Sequence, residues 1–417
     1  MTYSEQLLDA IGNHEFSNAE KLLKLALDND DPDVLASLAE NLTDYGFTNL
    51  AKEVYRALIA QFPGEDLFKV YLAEILLNDG QDDDGLTLLY NVDQNSTAYL
   101  DSLLVQADYY QTNGLIEVAR AKLLEASKLA PEEDTIKFGI AELDFMDGQY
   151  EEAEELYEDL LKRQKRISEV NLQQRLIQTK AKLGKYEEAA EVIRNHSSDL
   201  LDIDSKYQAG LILLSAGEVD EAIKFLDQVI DQSPDYVNVY PILAQAYQEK
   251  NDNEQVLRSA QAGLAYNELD ETLYSMGAQA AVVLNEDDVA EDLLKKGLKI
   301  APDNSDLRLQ LSNLLLSRHK YQENLDLFKD VQDSDEEAQI HWNLARSYQG
   351  LEDNEQAKSE YLLAYPDYQE NPEFLKQMLL FFNTLPNSKE VVMDLLKKYL
   401  KLEPDDLDMQ DMYDENL

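Results

Sequence analysis

Apolar and polar residues along this chain recur with the period of an α-helix, and the helices they mark come in pairs. Between recurring landmarks, apolar side chains fall at i, i+3, i+4 and i+7, as around Leu156, Leu160 and Leu161. That spacing gives a helix one buried face. The segments GLIEVARAKLLEASKLAP (114–131), GQYEEAEELYEDLL (148–161), GKYEEAAEVI (184–193) and GEVDEAIKFLDQVIDQSP (217–234) are variants of one another, each with an alanine five residues after a glycine. Anchored on that small residue, the series runs Ala19, Ala51, Gly85, Ala119, Ala153, Ala189, Ala222, Val256, Ala290, Asn324, Ala357, Val392. Successive spacings are 32, 34, 34, 34, 36, 33, 34, 34, 34, 33 and 35 residues. A period sustained twelve times is the signature of a repeat array.

Each landmark has a physical reason. Twelve residues before the anchor stands a second small residue: Ala39, Ala73, Ala107, Ala141, Gly210, Ala244, Ala278, Ser312, Ala345. Facing small residues let two antiparallel helices approach closely. Five residues before the anchor comes a turn: His14, Gly46, Gly80, Gly114, Gly148, Gly184, Gly217, Asn251, Asn285, His319, Glu352, Asn387. Gly, Asn and His tolerate the positive φ of a residue that ends a helix. Glu352 is the exception, with Gly350 two residues before it. Pro63, Pro131, Pro234, Pro302 and Pro404 lie twelve residues after their anchors, where they end the second helix of each pair.

This pattern resembles the tetratricopeptide-repeat (TPR) family, built on a 34-residue helix–turn–helix unit. With each anchor numbered as position 20, the aromatic residue of the family near position 24 is matched by Tyr55, Tyr157, Phe328 and Tyr361. The resemblance extends to full-length cytoplasmic TPR proteins of low-GC Gram-positive bacteria. It implies an all-α fold, an α-solenoid of about twelve helix pairs in a right-handed superhelix, with no strand. One continuous solenoid is expected over residues 1–404, and a disordered acidic tail over 405–417, where seven carboxylates follow Lys401.

Composition narrows the function. The 417 residues hold 84 Asp and Glu against 36 Lys and Arg, a net charge of −48. Such a field repels phosphate backbones and anionic lipid, so neither nucleic acid nor a membrane is an expected partner. There is no cysteine, hence no disulfide frame, thiolate metal site or thiol nucleophile. The stretch MTYSEQLLDAIGNHEF lacks the basic and apolar regions of a signal peptide. A cytoplasmic protein is expected. Four histidines, His14, His196, His319 and His341, show no metal-ligand spacing, and the glycines are placed by the repeat rather than by a phosphate cradle. No cofactor, no metal and no catalytic residue are expected.

In the TPR family the first helices of successive repeats line a concave groove, with positions 2, 5, 9 and 12 facing inward. Position 9 reads Leu8, Glu40, Glu74, Asp108, Glu142, Gln178, Leu211, Gln245, Gln279, Asn313, Arg346, Phe381. Four consecutive carboxylates, followed by a predominance of amides, suit a basic peptide segment and then a peptide backbone. Leu104, Phe138, Tyr207 and Trp342 at position 5 supply apolar anchors. The carboxylate clamp of chaperone-tail-binding members uses Lys and Asn at groove positions. It is not expected where positions 5 and 9 hold almost no Lys or Arg. The expected partner is therefore a protein or peptide with a basic segment. The chain would act as a scaffold or adaptor, or alternatively as a receptor for a short peptide.

One stretch reverses the charge balance: residues 162–194 hold nine basic and four acidic residues, at the longest repeat spacing. Lys162, Arg163, Lys165 and Arg166 form a candidate basic patch. It either packs against acidic neighbours, or forms a second contact surface, or meets the acidic groove of another copy, so self-association is also open.

Overall fold

A computed structural model of the protein describes residues 1–196, 202–329 and 338–416. These fall into two compact units, 1–200 and 201–417. In the first, the helix pairs are Tyr3–Gly12 with Ala19–Asn29 (α1, α2), Pro32–Asp44 with Thr48–Gln61 (α3, α4), and Asp66–Asn78 with Asp82–Tyr90 (α5, α6). Tyr99–Thr112 with Ile116–Leu129 (α7, α8), Asp134–Met146 with Tyr150–Leu161 (α9, α10), and Leu172–Lys182 with Tyr186–His196 (α11, α12) follow. The second unit begins with Ile203–Ser215 and Val219–Gln232 (α13, α14), Val239–Glu249 and Asn253–Tyr266 (α15, α16), and Glu271–Val283 and Asp287–Ile300 (α17, α18). It continues with Ser305–Ser317 and Tyr321–Leu327 (α19, α20), Ala338–Gly350 and Asn354–Tyr368 (α21, α22), and Pro372–Asn383 and Lys389–Leu402 (α23, α24). A last helix, Leu407–Asn416 (α25), closes it. The chain is an all-α solenoid of helix pairs.

The turn between paired helices obeys one backbone rule. All twelve turn positions inferred from spacing have positive φ, from 54° at His319 to 81° at Gly148. Glu352 is among them at 63°, so Gly350 does not take its place as the turn residue. Gly350 serves packing instead: a Cβ there would sit 2.4 Å from the ring of Tyr321.

Every anchor is buried, including Asn324 and Val392. At the Gly85 anchor the helices approach closely: an added Cβ would lie 2.7 Å from Leu77 Cγ. Asn324 is tolerated because its amide donates to Ser347 Oγ at 2.8 Å, while Asn343 donates to Ser312 Oγ at 2.9 Å. All four of these residues are buried, so here a polar network takes the place of packed methyl groups.

Charge also holds neighbouring repeats together. The residue following the anchor, at the head of a second helix, pairs repeatedly with the end of the next first helix: Lys52 with Asp79, Arg120 with Asp144, Glu154 with Lys180, Glu291 with Arg318 and Lys320. Lys180 is buried and also bonds Glu158 at 3.1 Å and Glu188 at 2.8 Å, while Glu154 receives Lys185 at 2.6 Å. Burial alone disfavours both charges. The mutual hydrogen bonds outweigh it, holding Glu154 below and Lys180 above their ordinary values. The run EEAEELYED, taken by composition for a solvated face, thus contributes a buried carboxylate.

Two expectations are corrected. A short antiparallel ladder, Arg166–Ile167 against Val170–Asn171, stands where no strand was expected. It absorbs the longest repeat spacing in a hairpin turned at Ser168 (φ 50°), and Ile167 is buried against the core. The acidic end is helical rather than frayed over 407–416; Leu417 lies outside the described residues. Its helix is capped by Asp406, which accepts Met409 N–H at 3.2 Å, Lys376 Nζ at 2.7 Å and Tyr399 Oη at 2.8 Å. The Lys376 and Tyr399 bonds pull Asp406 down to about 2. Met409 is buried and Met412 and Tyr413 pack beside it, so α25 covers the end of the last pair.

Three stability outcomes follow from this packing. Ala141→Leu should lower the thermal midpoint at a cost of about 1–3 kcal/mol, because Ala141 is fully buried at a helix contact; an unchanged midpoint would place it outside the interface. Glu352→Gly should raise stability by up to about 1 kcal/mol, since a residue with a Cβ is strained at that φ; chemical denaturation measures it. Lys180→Met should destabilise at neutral pH by leaving Glu154 short of a partner. Glu154's folded value lies below its ordinary 4.5, so its contribution is present above that value and is lost as pH falls through the folded value. The gap between wild type and Lys180→Met in pH-resolved melting should therefore narrow in acid.

Candidate peptide-binding faces

In the first unit, Glu40 on α3, Glu74 on α5 and Asp108 on α7 occupy the same position of successive first helices, and all three are exposed. Tyr71 on α5 reports the field between them. Its phenol is pushed above the ordinary value by burial, then by Glu40, Asp101 and Glu74. Tyr55 on α4, 5.7 Å from Tyr71 between ring centroids, is raised by burial and then by Glu40, Tyr71, Glu74 and Asp44. Glu40 and Glu74 thus both act on this pair of tyrosines. Leu104 is half-buried against the core of α7 and α8, and Phe138 is half-buried with its ring 6.5 Å from that of Tyr157.

Glu142 departs from the row. It accepts Tyr157 Oη at 2.6 Å and Arg175 Nη2 at 2.7 Å, and its side chain is 20% exposed. Arg175 also reaches Gln178 Oε1 at 3.2 Å and lies 5.6 Å from the ring of Phe145. The acidic row thus comprises three free-facing carboxylates and is ended by an arginine of the next repeat. Reading position 9 alone missed Arg175 and Tyr71, both of which stand three residues earlier on their helices.

The basic stretch is largely matched within the chain. Arg163 pairs with Asp134 at 2.8 Å, Lys162 with Asp159 at 3.7 Å, and Arg166 donates to the Glu169 carbonyl at 3.2 Å. Lys165 also has an interaction inside the chain. Arg163 and Lys162 thus each meet an acidic neighbour, and all four side chains of the patch are exposed.

In the second unit, Gln245, Gln279 and Asn313 are exposed. Asn313 accepts from Asn343 at 2.8 Å, and Gln279 donates to Ser275 at 3.4 Å, a hydroxyl that also receives Gln310 at 2.6 Å. Gln279 and Asn313 line a cavity of about 400 Å³ with Val282 and Val283. Tyr207 is half-buried, 5.2 Å from Tyr236, whose hydroxyl donates to Asp204 at 3.0 Å and is pushed up to about 12, first by burial. Trp342 is no groove anchor: it is buried among Tyr368 and Phe374, with its indole N–H on Gln377 Oε1 at 2.9 Å. An indole is mostly apolar, so the core claims it wherever its N–H finds an acceptor.

Among the described residues, no group of three or more His, Asp or Glu side chains is placed to hold a metal ion, and no helix is long and apolar enough to cross a membrane. His341 pairs with Glu360 at 2.7 Å across its own helix pair, a contact that sequence spacing did not reveal.

Comparison with known proteins agrees with the repeat architecture. The profile of YpiA-like tetratricopeptide repeats matches residues 111–165, that of YpiA-like C-terminal tetratricopeptide repeats matches 338–406, and a general tetratricopeptide-repeat profile matches 175–237. The TPR repeat-containing protein YpiA of Bacillus subtilis (strain 168) is 29% identical over 396 residues, covering 94% of this chain and 91% of its own. Among solved structures, the Naa15/Naa10 complex bound to HypK-THB has a chain similar at TM-score 0.47 and 14% identity, covering 92% of this chain, which spans 65% of that one. YrrB, described as a TPR protein with an unusual peptide-binding site, is similar at TM-score 0.39 and 18% identity, covering 45% of this chain and 95% of its own. Twelve turns at positive φ, a buried residue at every anchor and matches on three separate segments converge on an array of tetratricopeptide repeats similar to those of the YpiA-like proteins.

Proposed function

We propose that the protein is a non-enzymatic scaffold or adaptor that takes a basic segment of a partner protein along the first-helix faces of its second to fourth repeats. Tetratricopeptide repeats mediate protein–protein interaction, and the faces of this chain differ from a generic repeat by their charge. The observation that carries the reading is the exposed row Glu40, Glu74 and Asp108, with Tyr71 half-buried between the first two. A lysine or arginine laid along that row meets carboxylates and tyrosine faces together, and Leu104 and Phe138 lie on the following helices to hold an apolar side chain. A cytoplasmic setting suits a chain without cysteine.

A receptor for a short peptide is the second reading. It rests on the cavity of about 400 Å³ beside Gln279 and Asn313, which is of a size for one or two side chains rather than for a folded client.

The first reading is tested with a fluorescent octapeptide of alternating Lys and Leu. Charge governs encounter more than residence. Glu40→Gln, Glu74→Gln and Asp108→Asn combined should slow association about tenfold at low salt, flatten its salt dependence and leave the thermal midpoint unchanged. Combining Glu151→Gln, Glu152→Gln and Glu155→Gln on α10 removes three exposed charges elsewhere and should do far less. Equal kinetics for both triple variants would reduce the row to solubilising charge.

A further inference from the structure

The second unit holds a site of opposite character. Position 9 of α21 is Arg346, half-buried, and no carboxylate among the described residues comes within ion-pairing distance of it. That is unusual in a chain with 84 acidic residues, where cations are commonly taken up by neighbours. Arg346 lines a cleft of about 420 Å³ between α19, α21 and α23.

Two amides share that cleft, and both have their carbonyl oxygens occupied. Trp342 Nε1, which can only donate, bonds Gln377 Oε1 at 2.9 Å, and Tyr361 Oη donates to Gln349 Oε1 at 2.9 Å. What these side chains have left to offer is N–H. One hydrogen of Gln377 goes to Glu373 at 3.3 Å; the Gln349 amide N–H groups have no acceptor among the described residues. Leu316 and the 42%-exposed Leu380 give the cleft an apolar border, and Tyr321, seated where Gly350 leaves room, forms a wall.

The tyrosines at position 24 show the contrast between faces. Tyr55 and Tyr157 are raised by burial and then by carboxylates, whereas at Tyr361 burial raises and Arg346 pulls back down. The buried Asn324–Ser347 and Asn343–Ser312 bonds tie together α19, α20 and α21, three of the helices that contribute to the cleft.

We propose that this cleft is a carboxylate-binding site, in which the planar fork of Arg346 takes both carboxylate oxygens and the Gln349 and Gln377 amides donate to them. An arginine is suited to this role because its donors match the carboxylate in spacing and plane. The carboxylate comes from a chain terminus or from an Asp or Glu side chain of a bound peptide. The site is separate from the acidic row of the first unit and does not depend on it.

The chain has a single tryptophan, and Trp342 bonds a residue of the cleft, so its emission reports occupancy in the intact protein. N-acetyl-Ala-Leu as the free acid should change that emission saturably, and N-acetyl-Ala-Leu-amide should not. N-acetyl-Ala-Glu-Leu-amide distinguishes the sources: a response equal to that of the acid assigns the site to side-chain carboxylates as well, and a weaker one to chain termini. Arg346→Gln should weaken binding of the acid at least tenfold, Arg346→Lys less, and Gln349→Leu about threefold. Arg346→Gln removes no ion pair among the described residues and should keep the wild-type thermal midpoint; if it does not, Gln349→Leu carries the test. The proposal is overturned if acid and amide titrate alike, if both variants bind as wild type does, or if no carboxylate probe changes the emission up to about 20 mM, well above the ~1 mM expected of so small a ligand.

Discussion

Two helices of a repeat pack only as closely as their facing side chains allow, and everything else in this protein follows from keeping that distance short. Alanine, glycine or serine stands at most of the paired positions, and where Asn324 intrudes, Ser347 accepts its amide N–H while its buried carbonyl oxygen has no partner among the described residues. Close approach in turn demands an abrupt reversal between the helices. The backbone supplies it with one left-handed residue per repeat, whichever side chain is present. A residue such as Glu352 can hold that conformation because the packing of its two helices over-determines it. With distance and reversal fixed, each pair buries one face against itself and presents a second to the next pair, so stability accumulates along the chain from neighbour contacts.

A net charge of −48 would strain such an array if its carboxylates were only a solvent coat. Instead, many of them are structural. Lys180 gathers Glu154, Glu158 and Glu188 between consecutive repeats, and Glu291 gathers Lys295, Arg318 and Lys320 in the same way. Breaking such a cluster by removing one member is costly because a partly buried charge is left behind, even where the intact cluster adds little net stability. The scarce cations are concentrated at these junctions, which leaves the acidic faces uncompensated. Glu142 is tied to Arg175 and Tyr157, whereas Glu40, Glu74 and Asp108 stay exposed.

Tetratricopeptide repeats generally mediate protein–protein interaction, but a fold does not by itself name a function, which is argued from particular residues. In this chain those residues make different surfaces in the two units. One carries exposed carboxylates; the other carries amides, a valine-lined cavity and an arginine with no carboxylate partner among the described residues. A partner reading both would need groups of both signs.

By itself the sequence determined the period, the twelve turns, the buried small residues and the prolines that end second helices. Each of these depends on one residue type at one spacing, and local conformation does not need tertiary knowledge. It did not determine which charges face water. Glu154 and Glu158 lie in one run of acidic residues, and only the packing of α11 against α10 buries the first. Likewise Trp342 occupies a groove position by count and a core position by environment, because α22 and α23 close over it. The hairpin at 166–171 was visible only as two extra residues of spacing, and the final helix was hidden in the acidic run that follows Lys401. Its signal, an aspartate cap followed by Leu407, Met409, Met412 and Tyr413, becomes meaningful once the end of α24 is seen to expose apolar surface that needs a cover. Periodicity is a property of the chain, but neutralisation and burial are properties of what the neighbouring repeat brings, and only the tertiary structure supplies the neighbour.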